Sequence, residues 1–224
     1  MTSSTASQIR RRVLRSRDRF WRTEDFAGSP PAVNTELSRL ADAGELERVR
    51  RGVYWRGRKT RFGTTVPPPV AALRELVSSE EAVGAAGWYA TNLLGLSTQV
   101  APQPVVAVTT RSPTGLPGVK VIDRSARVGR REAHLNQTEV TLLEALDGWD
   151  KYVELDHAAA LARFVEILRG ADIRLPRLVQ AARTEAPRVR ERLREALRHG
   201  GCTSEAERVP PARGRARPSA TQPP

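Results

Sequence analysis

AVNTELSRLADAGELERVRRGVY, residues Ala32 to Tyr54, decides how the N-terminal part of this chain folds. Val33, Leu37, Leu40 and Ala41 recur at helical spacing and form one apolar stripe, while Asn34, Thr35, Ser38, Arg39 and Asp42 fall outside it. One face is for packing and the other for something outside. Gly44 stands just past the last periodic residue, where a glycine ends a helix because it takes a positive φ without a Cβ clash. The pattern then approaches alternation. Leu46 and Val49 are apolar, Glu47, Arg48, Arg50 and Arg51 are polar, and Gly52 turns the chain into Val53, Tyr54 and Trp55. A helix followed by a hairpin with arginines at its tip outlines a winged helix-turn-helix.

Upstream, Ile9, Val13 and Leu14 predict a first helix that carries Arg10 and Arg11 among its polar residues. Phe20 and Trp21 are expected to plug the core between that helix and the wing, since so small a module needs large apolar side chains. Thr23 is expected to cap a short second helix through Phe26. Gly28, Ser29, Pro30 and Pro31 then make the turn, with Pro31 in the first turn of the third helix, where its missing N–H costs nothing. That order makes Ala32–Ala43 the recognition helix. Asn34 is the candidate for an adenine edge and Arg39 for a guanine, with Thr35 and Ser38 on bases or phosphates. Arg10, Arg11, Arg48, Arg50, Arg51, Arg56, Arg58, Lys59 and Arg61 are candidates for phosphates or the minor groove, where they position rather than specify. Winged helices also serve as protein-interaction modules. The competing reading is therefore an adaptor with only nonspecific attraction to DNA.

Charge favours the first reading. The 224 residues hold 37 basic and 25 acidic side chains, a formal net charge of +12. Residues 1–62 carry 15 basic and 7 acidic side chains, residues 63–160 carry 8 and 11, and residues 161–224 carry 14 and 7. Two basic ends flank a mildly acidic centre, a distribution suited to a polyanionic partner. The single Cys202 excludes an internal disulfide and is compatible with a reducing cytoplasm. No apolar run approaches membrane-spanning length and no signal peptide is evident, so a cytoplasmic, non-membrane protein is expected. His134, His157 and His199 lack the spacing of a compact metal motif, and Cys202 has no evident base. Asp123, Asp156 and His157 are explained as well by helix caps and surface positions as by convergence. No catalysis, metal or cofactor is expected.

The segments ELSRLADAGELERVRRGVYWRG (Glu36–Gly57) and NLLGLSTQVAP (Asn92–Pro102) resemble the AbiEi-type antitoxins, the transcriptional-regulator half of bacterial AbiE toxin–antitoxin operons. The resemblance covers about residues 7–200. It implies a two-domain repressor whose winged helix binds inverted repeats in double-stranded DNA at its own promoter. It also implies a nucleotidyltransferase-like toxin opposed without a tight complex. Carried over to this chain, it supports Asn34, Thr35, Ser38 and Arg39 on the recognition helix and Arg48, Arg50 and Arg51 in the wing. It assigns no toxin-neutralising residue.

Beyond the stiff Val66-Pro67-Pro68-Pro69 junction, helices are expected over Val70–Val77 and Glu81–Leu94. The small residues in the second of these suggest close approach of a neighbour, and Trp88 and Tyr89 read as core. Val105–Thr109 and Val119–Ile122 read as two strands. Arg124, Arg127, Arg130 and Arg131 form a secondary basic cluster for DNA or a partner, against the plainer reading of a solvated loop. Asn136 with Glu139 has capping-box spacing, Asp156 suits a cap, and helices continue through Ile173–Ala182 and Pro187–Leu197. The fold class expected is α+β, a winged helix-turn-helix (1–65) followed by a mixed helical domain with a small β-sheet (66–200). Residues 201–224 read as a disordered Arg/Pro-rich tail.

Overall fold

The computed structural model describes residues 4–77, 79–110 and 118–212. These divide into two compact units, the first ending at Ser78 and the second beginning at Ser79. The division falls beyond the proline run, because the helix that follows it belongs to the first unit.

The first unit begins with α1 (Thr5–Arg15), capped by the Ser4 hydroxyl on the Ser7 N–H, and β1 (Arg19–Arg22). Ile9 and Val13 of α1 are buried, whereas Leu14 is exposed and does not join the predicted apolar set. A single 3-10 turn, Thr23–Asp25, replaces the expected second helix. Thr23 is not its cap; Asp25 Oδ2 accepts the Arg22 N–H instead, at 2.8 Å. Next come α2 (Pro30–Asp42), β2 (Glu47–Arg50) and β3 (Val53–Arg56), and the sheet order is β1-β3-β2, all antiparallel. This is the winged-helix arrangement. Val33, Leu37 and Leu40 of α2 close on Ile9, Val13, Trp21, Leu46 and Tyr54 in one core.

Backbone geometry explains the local choices. Gly44 has φ +70°, its N–H donates to Ala41 O and the next N–H, of Glu45, donates to Leu40 O, the double bond of a Schellman ending. The three-residue spacing of Leu46 and Val49 is resolved by a bulge: Arg48 pairs with Tyr54 but Arg50 with Val53. Trp21 and Tyr54 are register partners facing the helices, while Phe20 pairs with Trp55 on the other sheet face, their rings 4.8 Å apart. Phe20 therefore does not enter the core beside Trp21, because successive strand residues point to opposite faces. A second hairpin, β4 (Lys59–Thr60) with β5 (Gly63–Thr64), and α3 (Pro69–Arg74) complete the unit.

The second unit starts with β6 (Val83–Ala85) and α4 (Gly87–Leu93), where a helix over Glu81–Leu94, interrupted or closely packed at Gly84 and Gly87, was expected. The reason is contact. A Cβ on Gly84 would lie 2.7 Å from Val140 Cβ, so these small residues press an extended segment onto a helix surface. β7 (Val105–Val108) pairs antiparallel with β6 and parallel with β8 (Lys120–Asp123), near the two strands read from sequence. Helices follow as α5 (Val128–Glu132), α6 (Gln137–Asp147), α7 (Trp149–Tyr152), α8 (His157–Leu168), α9 (Leu175–Ala181), α10 (Pro187–His199) and α11 (Thr203–Arg208). The Asn136–Glu139 capping box is formed in both directions, and Asp156 caps α8 through the Ala159 N–H. The fold is α+β, as the alternation of pattern predicts.

Order continues past Gly200, where a tail was expected. Gly201, at φ +81°, ends α10 with the same double bond as Gly44, and α11 then buries Ala206 with the following Val209. Two small apolar residues in a polar, charged stretch were enough to dock it. The remaining tail residues, 213–224, lie outside those described.

Candidate nucleic-acid interface

The exposed face of α2 carries Thr35 and Arg39, with Asn34 and Ser38 half-buried at its margins. Each has a local partner. Asn34 Oδ1 accepts from the Thr23 hydroxyl at 2.7 Å, and the Thr35 hydroxyl donates to Pro31 O at 2.9 Å. Arg39 is 72% exposed and lies 3.7 Å from Glu36 Oε2, a loose surface pair of little energetic weight. Ser38 is the most connected: its Oγ lies 3.1 Å from the Tyr54 hydroxyl and accepts from Arg48 Nη2 at 2.7 Å. Arg48 also lies over the Tyr54 ring, 5.5 Å from its centroid. Helix and wing are thereby joined at one polar knot, whose organiser, the buried Tyr54, was read from sequence only as part of the hairpin. Its signal was register, since it faces the same core as Trp21.

The wing turn presents Arg50 and Arg51, both exposed, their side chains with no hydrogen-bond or ion-pair partner among the described residues. Arg10 and Arg11 are exposed on α1. Arg56 does not belong with them. Its side chain is 11% exposed, and Nη1 is held by Glu45 O at 2.9 Å and Glu45 Oε2 at 3.0 Å. Lys59 grips the same carboxylate at 2.8 Å but stays 60% exposed, and its hydrogen bond holds the Glu45 carboxyl below its usual range. Arg58 is 58% exposed, with Asp18 at 3.8 Å. Two further arginines stack on Trp21: Arg19 lies 4.3 Å from the ring centroid, and Arg12, whose Nη1 also donates to Asp25 O at 2.8 Å, lies 5.2 Å from it.

The arginines of the basic cluster in the second unit are met by acids within the fold. Arg130 is buried, with Nε and Nη2 on Glu185 at 2.6 and 2.9 Å and Nη1 on Glu144 at 2.6 Å. Arg124 makes a bidentate bond to Glu144, both contacts at 2.8 Å, and Arg127 and Arg131 lie near Glu185 and Glu81. Burial opposes the charge on Glu144, but hydrogen bonds from Arg124 and the charge of Arg130 outweigh it and hold the carboxyl below its ordinary pKa. The acids that answer these arginines come from 14 to 58 residues away, and nearby sequence does not announce them.

A cleft of about 640 Å³ in the second unit lies between Trp88, Tyr152, Pro102 and Lys120. Trp88 is half-buried there, edge-on to Tyr152 at 5.2 Å, not in the deep core. The acids on its wall are matched by arginines: Asp147 by Arg124 and Arg188, Asp150 by Arg192. His157 pairs with Glu195 at 2.9 Å. Among the described residues no group of three or more His, Cys, Asp or Glu side chains could hold a metal ion, and no helix is long and apolar enough to cross a membrane.

No curated protein matches this chain. A crystal structure of the RV2827C protein from Mycobacterium tuberculosis is similar at 17% identity and a TM-score of 0.44, over 93% of this chain and 81% of that one. Residues 15–145, which take in the wing, the three-stranded sheet of the second unit and most of α6, match one family model, and the chain belongs to that family, DUF6088, a family of unknown function.

Proposed function

We propose that this protein is a sequence-specific, double-stranded-DNA-binding transcriptional repressor. The observation that carries the reading is the pairing state of the wing. Arg50 and Arg51 stand exposed without an acid beside a helix whose outer face offers Thr35 and Arg39, while the other first-unit cations at Glu45 are already engaged. Unpaired guanidinium groups next to a groove-sized helix suit phosphates flanking a read base edge. Arg39 reads guanine, Asn34 reads adenine after releasing Thr23, and Arg10, Arg11, Arg48, Arg58 and Lys59 add backbone contacts. The AbiEi resemblance supports the narrower reading: a cytoplasmic antitoxin that represses its own operon from an inverted repeat and opposes a nucleotidyltransferase-like toxin without a tight complex.

The test is fluorescence anisotropy of the full chain on its own upstream DNA and on a shuffled duplex, at roughly 50 and 200 mM salt. Preference for the upstream duplex is expected to survive the higher salt, and Arg39→Ala is expected to reduce it by about 1–3 kcal/mol. Equal binding to both duplexes that vanishes with salt rejects a specific operator and favours the adaptor.

A further inference from the structure

Among the described residues the most exposed large apolar side chain is Phe62, 85% exposed at the tip of the β4–β5 hairpin. Its hairpin is built, not incidental. At the tip the Thr60 hydroxyl donates to Gly63 O at 2.8 Å and accepts the Phe62 N–H at 3.2 Å, while Gly63 takes φ +116°. At the root the Trp55 indole donates to Thr65 O at 2.8 Å, the Arg58 N–H donates to Thr65 Oγ1 at 2.8 Å, and Thr65 Oγ1 donates to Asp18. Gly57 makes room for that return, since a Cβ there would sit 2.2 Å from Thr65 O. All this holds one phenyl ring in solvent with a cation beside it: the Arg61 guanidinium lies 4.5 Å from the ring centroid.

Placement within the first unit points to the ring's partner. Lys59 and Arg56 tie the hairpin root to Glu45, just beyond the C-terminal end of α2. The wing turn lies at the opposite end of β3, where the Thr23 N–H donates to Gly52 O and the Thr23 hydroxyl to Asn34 in the first half of α2. Four strand residues rise about 13 Å. The two tips lie beyond the ends of that strand, and the major groove that would receive α2, about 12 Å wide, has a minor groove on either side. β3 thus has a basic hairpin tip at each end, and one of the two carries an aromatic ring.

We propose that Phe62 is a minor-groove wedge, inserting its ring at a base step beside the site read by α2 while Arg61 occupies the groove. The chemistry is that of apolar side chains that partly unstack a step and kink the duplex, helped by the negative potential of a narrow minor groove. The proposal rests on the DNA-binding reading above.

The experiment uses the full chain on the upstream duplex, with 2-aminopurine placed in turn at steps flanking the protected site. Wild type is expected to raise 2-aminopurine fluorescence at one step. Phe62→Ala should abolish that rise and weaken binding about ten-fold, as loss of one base–aromatic stack does. Phe62→Leu should keep part of both, and thermal melting of both variants should match wild type because the ring is solvent-exposed. Specific binding by wild type with no fluorescence change, or with Phe62→Ala binding equally well, overturns the wedge and leaves the DNA reading standing. A Phe62→Ala effect on self-association alone overturns it in favour of protein docking. No preferred site for wild type removes the underlying reading and the wedge with it.

Discussion

Two arginine-rich stretches of this chain, Arg48–Arg51 and Arg124–Arg131, have similar composition and opposite fates. In the first, Arg50 and Arg51 stand in solvent at a turn, and Arg48 shares neutral hydroxyls with Ser38 and Tyr54. In the second, Arg130 lies in the interior between two carboxylates, with Arg124 and Arg127 on its flanks. What separates them is the supply of acids. Glu144 and Asp147 reach the second stretch from α6, and Glu185 comes from the turn before α10, whereas the wing tip receives none among the described residues. A guanidinium is free for phosphate only where the fold has not already given it a carboxylate. Positive charge counted along the chain therefore overstates the available surface, and pairing state is the better guide to it.

The comparison breaks most visibly at Arg130. Burial disfavours its charge, but Glu144 and Glu185 more than offset that and raise its pKa, so it stays charged at every accessible pH. Arg130→Met leaves both carboxylates buried and short of a cation. Urea unfolding at neutral pH should show a loss of about 3–5 kcal/mol, and the double variant Arg130→Met with Glu185→Met should recover part of it. Arg130→Met within 1 kcal/mol of wild type would mean that water or Arg124 alone satisfies the site, and the contrast with the wing would collapse.

The wing predicts the reverse. Arg50→Ala with Arg51→Ala should leave unfolding within about 0.5 kcal/mol of wild type, as surface changes do. On duplex DNA the same variant should bind every sequence more weakly, with the slope of log K against log salt reduced by about two, one for each phosphate contact. An unchanged slope would place the duplex elsewhere on the protein.

Legibility followed the range of the determining contacts. α2, its Schellman glycine, the hairpin and the Asn136–Glu139 box were readable because each is set by residues within about five positions. β6 was not: Val83, Gly84 and Ala85 are extended because Val140 and Thr141 lie against them, and the Thr141 hydroxyl accepts the Ala85 N–H at 3.0 Å. The pairing of the second basic cluster was hidden for the same reason, its acids being remote in sequence. The helix after Gly200 was hidden by a composition typical of tails. At the candidate interface the helix face was legible, but the Ser38–Tyr54–Arg48 knot and the capture of Arg56 by Glu45 depend on a strand register displaced by a bulge, which alternation alone does not specify.

Glu154 supplies the smallest and most selective test, an acid of the second unit that polar groups rather than arginines satisfy. Its Oε2 accepts the Thr98 N–H at 2.7 Å, the Ser97 hydroxyl at 2.9 Å and the Thr98 hydroxyl at 3.0 Å, which pin the loop after α4. The Thr98 N–H is the leading cause of a pKa pulled from an ordinary 4.5 down to about 2. Because the folded value is the lower one, the carboxylate's contribution is complete above the unfolded pKa and is lost as pH falls from about 4.5 toward 2. Glu154→Gln should therefore differ from wild type by a constant amount in melts at neutral pH, and the two curves should converge in acid over that interval. Convergence already near neutrality would mean a folded pKa raised by burial, not lowered by these donors, and the division between arginine-held and dipole-held carboxylates in this unit would have to be redrawn.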